Sequence, residues 1–251
     1  MSDPLVDALT DAGALAVLGT DTGVGKTLVT AGLTGTLRDA GVDAVAVKPC
    51  QTGHPPDDDA EYVREMCGTD AASTCLRRLG PALAPAVAAR ESGVDLSYDA
   101  IREGCVRALE DAEVGLLEGI GGLRVPLADG RDVIDLVADL SLPALIVARS
   151  GLGTLNHTAL TVETLERRDV SVAGVVLNEY EGASLAERTN PGVIAAENGT
   201  PVATLPPLDA GDPAAVIESV ATNVRNVWAN PPDSVGTKPG ETPGTCDTTE
   251  P

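Results

Sequence analysis

A nine-residue stretch, Gly19-Thr20-Asp21-Thr22-Gly23-Val24-Gly25-Lys26-Thr27, limits the folds open to this chain more than any other part of it. It follows the apolar run Ala14 to Leu18 and leads into Leu28-Val29-Thr30-Ala31-Gly32-Leu33, which continues as a helix to about Ala40. Strand, glycine-rich turn, Gly-Lys-Thr and helix, in that order, make a phosphate-binding loop. Glycines let backbone N–H groups close around an anion, and the helix N-terminus adds partial positive charge. Lys26 would neutralise the outer phosphates, and the Thr27 hydroxyl would ligate magnesium. The spacing departs from the common form, since five residues rather than four separate Gly19 from Gly25.

Downstream, short apolar runs alternate with helical segments. Ala44 to Val47, Val114 to Leu117, Ala144 to Ala148, Val172 to Leu177 and Pro201 to Leu205 read as strands. Helices are expected over Ala60 to Cys67 (capped from Asp57 to Asp59), Tyr98 to Asp111 (capped by Ser97) and Val133 to Leu140, then over Asn156 to Arg168, Pro191 to Glu197 and Pro213 to Trp228. Met1 to Asp11 reads as a polar lead-in, and Gly80 to Gly93, rich in Ala and Pro, matches no element. The alternation implies a single α/β domain over 1–229, with a mostly parallel sheet covered by helices on both faces. Ligands bind such sheets beyond the carboxyl ends of the strands. Residues 230–251, rich in Pro, Gly, Thr and acid, are expected to form a disordered tail.

Composition narrows the partners. Thirty-eight acidic residues stand against 17 basic ones, for a formal net charge of −21, and the only lysines are Lys26, Lys48 and Lys238. Such a surface repels nucleic acid and anionic membranes, and it resembles the surfaces of proteins from salt-loaded, halophilic cytoplasms. Phe is absent and aromatics are 2%, so the core must be aliphatic. Five cysteines form no CxxC pair, which argues against a zinc site or a disulfide framework. No secretory signal precedes the first strand and no apolar run approaches about 20 residues, so a soluble, cytoplasmic protein is expected.

The strand-end rule assembles a site. Lys48, Glu118, Arg149-Ser150-Gly151 and Asn178 all fall just after strands, on the edge bearing the phosphate loop. Thr27, Asp59 and Glu118 would supply three hard oxygen ligands, suited to magnesium shared with phosphate, although Asp57, Asp58 and Asp59 compete as plain helix caps. Lys48 would place a second cation near the phosphates, where it could stabilise developing charge. His157 reads as a capping-region residue, His54 as solvated and Cys50 as packing, since no basic partner for its thiol is evident.

GTDTGVGKT, KPCQTG, the DDDAE segment, EGIGGLRVPL, GLGTLNH, GVVLNE and ATLPPL occur in that order from Gly19 to Leu208. Together they resemble the successive signatures of the dethiobiotin synthase family, in which the five-residue loop spacing also occurs. The resemblance implies a P-loop NTPase-like fold, a homodimer and a biotin-biosynthesis ligase that closes a cyclic urea on 7,8-diaminopelargonate with carbon dioxide and ATP. It implies ATP-phosphate binding by Gly23, Val24, Gly25, Lys26, Thr27 and Leu28, with Lys26 and Lys48 catalytic. Thr27, Asp59 and Glu118 would hold Mg2+, and Asp59, Glu118, Gly119, Ile120 and Gly121 would border the nucleotide. Asn178, Glu179, Pro206, Pro207 and Leu208 would form the adenine pocket. Thr22 and Thr52 would bind the diamine, and Gly153, Thr154 and Asn156 its carboxylate, across the dimer interface. Gly23 stands where some members carry glutamate. Two other classes share the loop. A cobyrinic acid diamide synthase-like enzyme would add a glutamine-hydrolysing domain, and a partitioning-type regulatory ATPase would add a second lysine early in the loop, where Gly19 to Gly25 has none.

Overall fold

A computed structural model describes residues 3–229; the tail expected over 230–251 lies outside them. The chain opens with helix α1 (Pro4–Ala12), strand β1 (Ala14–Gly19), helix α2 (Lys26–Asp39), β2 (Ala44–Lys48) and β3 (Gln51–Thr52). Then come α3 (Asp59–Cys67), β4 (Ser73–Cys75), β5 (Arg78–Leu79), α4 (Pro85–Ser92), α5 (Tyr98–Glu110) and β6 (Val114–Glu118). A small excursion, β7 (Pro126–Ala128) and β8 (Arg131–Asp132), precedes α6 (Val133–Asp139), β9 (Ala144–Arg149) and α7 (Thr154–Glu166). The last elements are β10 (Val172–Asn178), α8 (Leu185–Asn198), β11 (Val202–Thr204) and α9 (Pro213–Ala229).

Seven of the strands form one parallel sheet in the order β11-β10-β9-β1-β6-β2-β4. Side chains alternate between its faces, as the two-residue period of a strand demands. Leu15 and Val17 of β1, with Leu145 and Val147 of β9, pack under α1, α2 and α9. Ala16 and Leu18, with Ile146 and Ala148, pack against Ile101 of α5, Ile134 of α6 and Leu165 of α7. Both layers are aliphatic, as expected; Tyr98 is the one aromatic residue in the buried core of the described residues. Gly32 and Gly35 let α2 approach α9 closely, because a Cβ at either would stand 2.5 or 2.6 Å from Val220 or Ile217.

Because β1 lies between β6 and β9, the phosphate loop rises from the middle of the sheet, where ligand crevices form. In register, Val17 of β1 faces Glu118 on one side and Gly19 faces Val147 on the other, so the strand ends share one edge.

Four local expectations change. Met1 to Asp11 is not merely a polar lead-in. Asp3 caps α1 by accepting from the Leu5 amide, Pro4 occupies its first turn, and Leu5 and Leu9, one turn apart, are fully buried. Within Gly80 to Gly93, residues Pro85–Ser92 form α4, begun by Pro85 and closed by left-handed Gly93. Helix α8 begins at Leu185, not near Pro191; a capping box between Ser184 and Glu187 starts it and Pro191 sits inside. Asp58 alone caps α3, and Asp59 is the first residue within it. Replacing Leu9 by Ala should cost about 2–5 kcal/mol and lower the melting temperature by roughly 4–15 °C. A thermal melt unchanged by Leu9→Ala would mean that α1 contributes nothing to the core.

Candidate active site

Left-handed backbone at Gly23 (φ 69°) and Gly25 (φ 100°) turns the chain from β1 into α2. Gly25 has a second reason to lack a side chain, since a Cβ there would lie 2.2 Å from Asn178 Nδ2. That amide reaches in from the end of β10 and donates to the Val24 carbonyl at 3.2 Å. Lys26 folds back over the loop and donates to the Asp21 carbonyl at 2.9 Å. Gly19 makes room for it, because a Cβ there would meet Lys26 Nζ at 2.8 Å. Burial, and then repulsion from Lys48, lower the Lys26 pKa to about 8 against the opposing pull of Glu118, Asp59 and Asp21.

Beside the loop lies a buried charge cluster. The Lys48 ammonium, at the end of β2, is 2.5 Å from Asp59 Oδ2 and 2.8 Å from Glu118 Oε1. It also donates to the Gly119 carbonyl at 3.2 Å. The same Glu118 oxygen accepts from the Thr27 hydroxyl at 2.9 Å. Lys48 and Glu118 are 5% and 2% exposed, so the pairing takes place away from water. Desolvation pulls the Lys48 pKa down, but Glu118 and Asp59 outweigh it and raise the pKa above the ordinary value. Desolvation likewise opposes the charge on Asp59, yet the Lys48 ammonium beside it holds Asp59 below the usual range. Burial pushes Glu118 up, Lys48 pulls it back and Asp59 adds to the rise.

Loop and cluster open into one cavity of about 820 Å³. Of the residues singled out in sequence, Thr22, Gly23, Gly25, Lys26, Thr27, Leu28, Lys48, Cys50, Thr52, Asp57, Asp58, Asp59, Glu118, Ile120 and Gly121 line it. Val24 and Gly119 support it through the carbonyls that Asn178 and Lys48 hold. Asn178 and Glu179 stand on the far side of the loop, at the end of β10, and Pro206, Pro207 and Leu208 follow β11; none of these lines the cavity. Gly153, Thr154 and Asn156 open α7 and also stay outside it. Leu152 beside them is 94% exposed and Leu160 53%, so this end of α7 presents apolar surface.

Cys50 is buried and its thiol is pushed up to about 12 by desolvation, which agrees with a packing role. His157 is exposed on the first turn of α7. His54, expected in solvent, is half-buried, with Nδ1 3.2 Å from the Asp57 carbonyl. Two residues were missed in sequence. Gln51, 5% exposed, accepts from the Asp59 amide at 3.0 Å and so sets the start of α3. Tyr62, one helical turn beyond Asp59, lines the cavity and donates to the Ala210 carbonyl at 2.9 Å, tying α3 to the segment after β11. Their position was a signal, one within KPCQTG and the other three residues after a suspected ligand.

No group of three or more His, Cys, Asp or Glu converges among the described residues. The oxygen set is therefore Thr27 with two carboxylates, a partial shell that phosphate oxygens and water would complete, as magnesium sites at nucleotides require. These are donors of the kind magnesium takes, and in this structure Lys48 pairs with both carboxylates and Thr27 donates to Glu118.

Residues 13–215 match a domain family described as AAA domain. Among solved structures, a ParA family ATPase from Chlorobium tepidum superposes with a TM-score of 0.54 at 13% identity, covering 88% of this chain and 93% of that one. The cell division ATPase MinD of Pyrococcus furiosus gives 0.53 at 18% identity, over 86% and 97%. At such identities the likeness shows the fold, which is that of a P-loop NTPase-like α/β protein with its loop at the sheet's centre. An ATP-dependent dethiobiotin synthetase of Haloferax mediterranei is 60% identical over 209 residues, 83% of this chain and 90% of that one. Those of an Anaeromyxobacter species and a Mycobacterium species are 50% identical over 65% of this chain (75% of theirs) and 39% over 80% (88% of theirs). The chain belongs to the ATP-dependent dethiobiotin synthetase family.

Replacing Gly25 by Ala should abolish nucleotide binding, because the new Cβ meets Asn178 and the left-handed backbone strains any other residue. Titration with a fluorescent ATP analogue checks this; an affinity within threefold of the parent would contradict the geometry.

Proposed function

We propose that this chain makes dethiobiotin by ATP-dependent closure of a cyclic urea on 7,8-diaminopelargonate, and that the charge cluster beside the phosphate loop carries the chemistry. The observation that supports it most is Lys48, a buried ammonium at the wall of a cavity shared by the phosphate loop and Thr52. In this reading Thr22 and Thr52 bind the diamine. One amine takes up carbon dioxide as a carbamate. A carbamate oxygen attacks the γ-phosphorus of ATP, ADP leaves, and the product is a carbamic–phosphoric anhydride. The second amine then attacks the carbonyl carbon and expels phosphate, closing the ring. Lys48 faces the carbamate and Lys26 the transferring phosphoryl group, so that developing negative charge meets fixed cations in a largely dry site. Thr27, Asp59 and Glu118 would hold Mg2+, which would neutralise phosphate charge when bound.

Asn178 and Glu179, with Pro206 to Leu208, serve adenine in this proposal, on the side of the loop away from Lys48. Gly153, Thr154 and Asn156 lie outside the cavity of their own chain, and the exposed Leu152 and Leu160 adjoin them. That arrangement suits a homodimer in which one protomer completes its partner's diamine site. Among the described residues no helix is long and apolar enough to cross a membrane. Together with the acidic surface, this suits a cytoplasmic enzyme that binds small molecules rather than nucleic acid or membrane, with residues 1–229 as its catalytic unit.

Incubation with diaminopelargonate, bicarbonate, magnesium and ATP should yield a product with the mass of the cyclic urea, and phosphate release should require both the diamine and dissolved carbon dioxide. Lys48→Arg keeps the charge but not the compact ammonium and should lose on the order of 10²-fold or more in kcat. Phosphate release that is independent of the diamine, or a requirement for glutamine, would overturn the assignment. The net charge of −21 further supports a salt-adapted protein, whose melting temperature should rise from dilute to molar potassium chloride as surface repulsion is screened. A flat or falling series would count against that adaptation.

A further inference from the structure

Two buried polar side chains that no step above uses lie where the β9–α7 and β10–α8 connections meet. Asn190 of α8, 4% exposed, donates through Nδ2 to the carbonyls of Ser150 at 2.8 Å and Gly151 at 3.2 Å. Ser150, also 4% exposed, donates to the Glu179 carbonyl at 3.0 Å, with Glu187 Oε1 at 3.3 Å. Glu187 in turn accepts from the amides of Ala183 and Ser184 at 2.7 and 3.2 Å, which fixes the start of α8. Glu179 holds a left-handed backbone (φ 55°), a conformation that persists in a non-glycine residue only where its surroundings enforce it. Ser150 grips its carbonyl, and the Tyr180 amide beside it donates to the Leu205 carbonyl at 2.7 Å.

One side of this network is the turn into Gly153, Thr154 and Asn156. The other is the turn that follows Asn178. On the reading given above, these are the diamine-carboxylate subsite and the adenine subsite. We propose that Ser150 and Asn190 are positioning residues that lock the two turns to each other, so that neither subsite keeps its shape without the other; this rests on that assignment of the subsites. Asn190 is spent on two backbone carbonyls and Ser150 on a backbone carbonyl and Glu187, and neither lines the cavity.

The test uses the full chain. Asn190→Asp retains the shape but turns a donor into an acceptor facing two carbonyls; Ser150→Ala deletes the hydroxyl and Ser150→Thr retains it. Affinity for a non-hydrolysable ATP analogue is measured by calorimetry, and KM for diaminopelargonate and kcat by phosphate release. Asn190→Asp and Ser150→Ala should each raise the analogue's Kd and the diamine KM fivefold or more, while kcat at saturation stays within threefold and Ser150→Thr recovers both constants. A drop in melting temperature with both constants within twofold of the parent would overturn the proposal and leave a structural role only. A rise in one constant alone would also overturn it, because the two turns would then be independent. If Asn190→Asp does not fold, the Ser150 pair decides. A parent chain that binds the analogue but forms no cyclic urea would overturn the functional reading, and the analogue's Kd in Ser150→Ala would still decide whether the lock holds the nucleotide turn.

Discussion

An ammonium group buried between two carboxylates is the constraint around which this site is built. Taking such ions out of water costs on the order of several kcal/mol each, and only close pairing offsets it. Lys48 brings that charge in on β2, Glu118 meets it from β6 and Asp59 from α3, so three elements must be in register before the charges can pair. Thr27 adds the phosphate-loop helix to the same oxygen of Glu118. An aliphatic sheet would tolerate small slips of one strand past another. A shared buried charge penalises them, because Lys48 or Glu118 left alone is an unpaired ion in the core.

The phosphate loop is held from the opposite direction by Asn178, whose amide occupies the space a Gly25 side chain would need. The loop is thus gripped between β6 and β2 on one side and β10 on the other. Its glycines serve two purposes: Gly23 and Gly25 supply left-handed backbone, and Gly19 and Gly25 leave room for Lys26 and Asn178.

Much of this could be read from the chain alone, for identifiable reasons. Parallel strands buried on both faces are nearly continuous apolar runs, and Ala14 to Leu18 and Ala144 to Ala148 announced themselves that way. Lys48, Glu118 and Asn178 were legible because each ends such a run. Helix α1 was not, since only Leu5 and Leu9 of its nine residues are buried, and two core positions make too short a pattern to separate a helix from a lead-in. Helix α8 is only partly legible because Pro191 reads as a beginning, although the Ser184–Glu187 spacing marks the true start. Among Asp57, Asp58 and Asp59, sequence could not choose. Neighbours on a helix point in different directions, and the place of Lys48, set by another strand, decides that Asp58 caps while Asp59 pairs with the ammonium. The Ser150–Asn190 contact joins residues 40 apart in the chain through a backbone carbonyl, which no local pattern encodes.

The scarcity of lysine has a chemical consequence. The described residues contain two lysines, Lys26 and Lys48, and both line the cavity; Lys238 lies outside those residues. Lys48 is locked in ion pairs with Asp59 and Glu118, whereas burial, and then Lys48, bring Lys26 down to about 8. In most proteins an acylating reagent scatters over a lysine-studded surface. Here the surface cations of the described residues are arginines, and their two side-chain amines, Lys26 and Lys48, are both confined to the wall of one cavity. A lysine modified within the described residues would therefore report on that cavity and on nothing else.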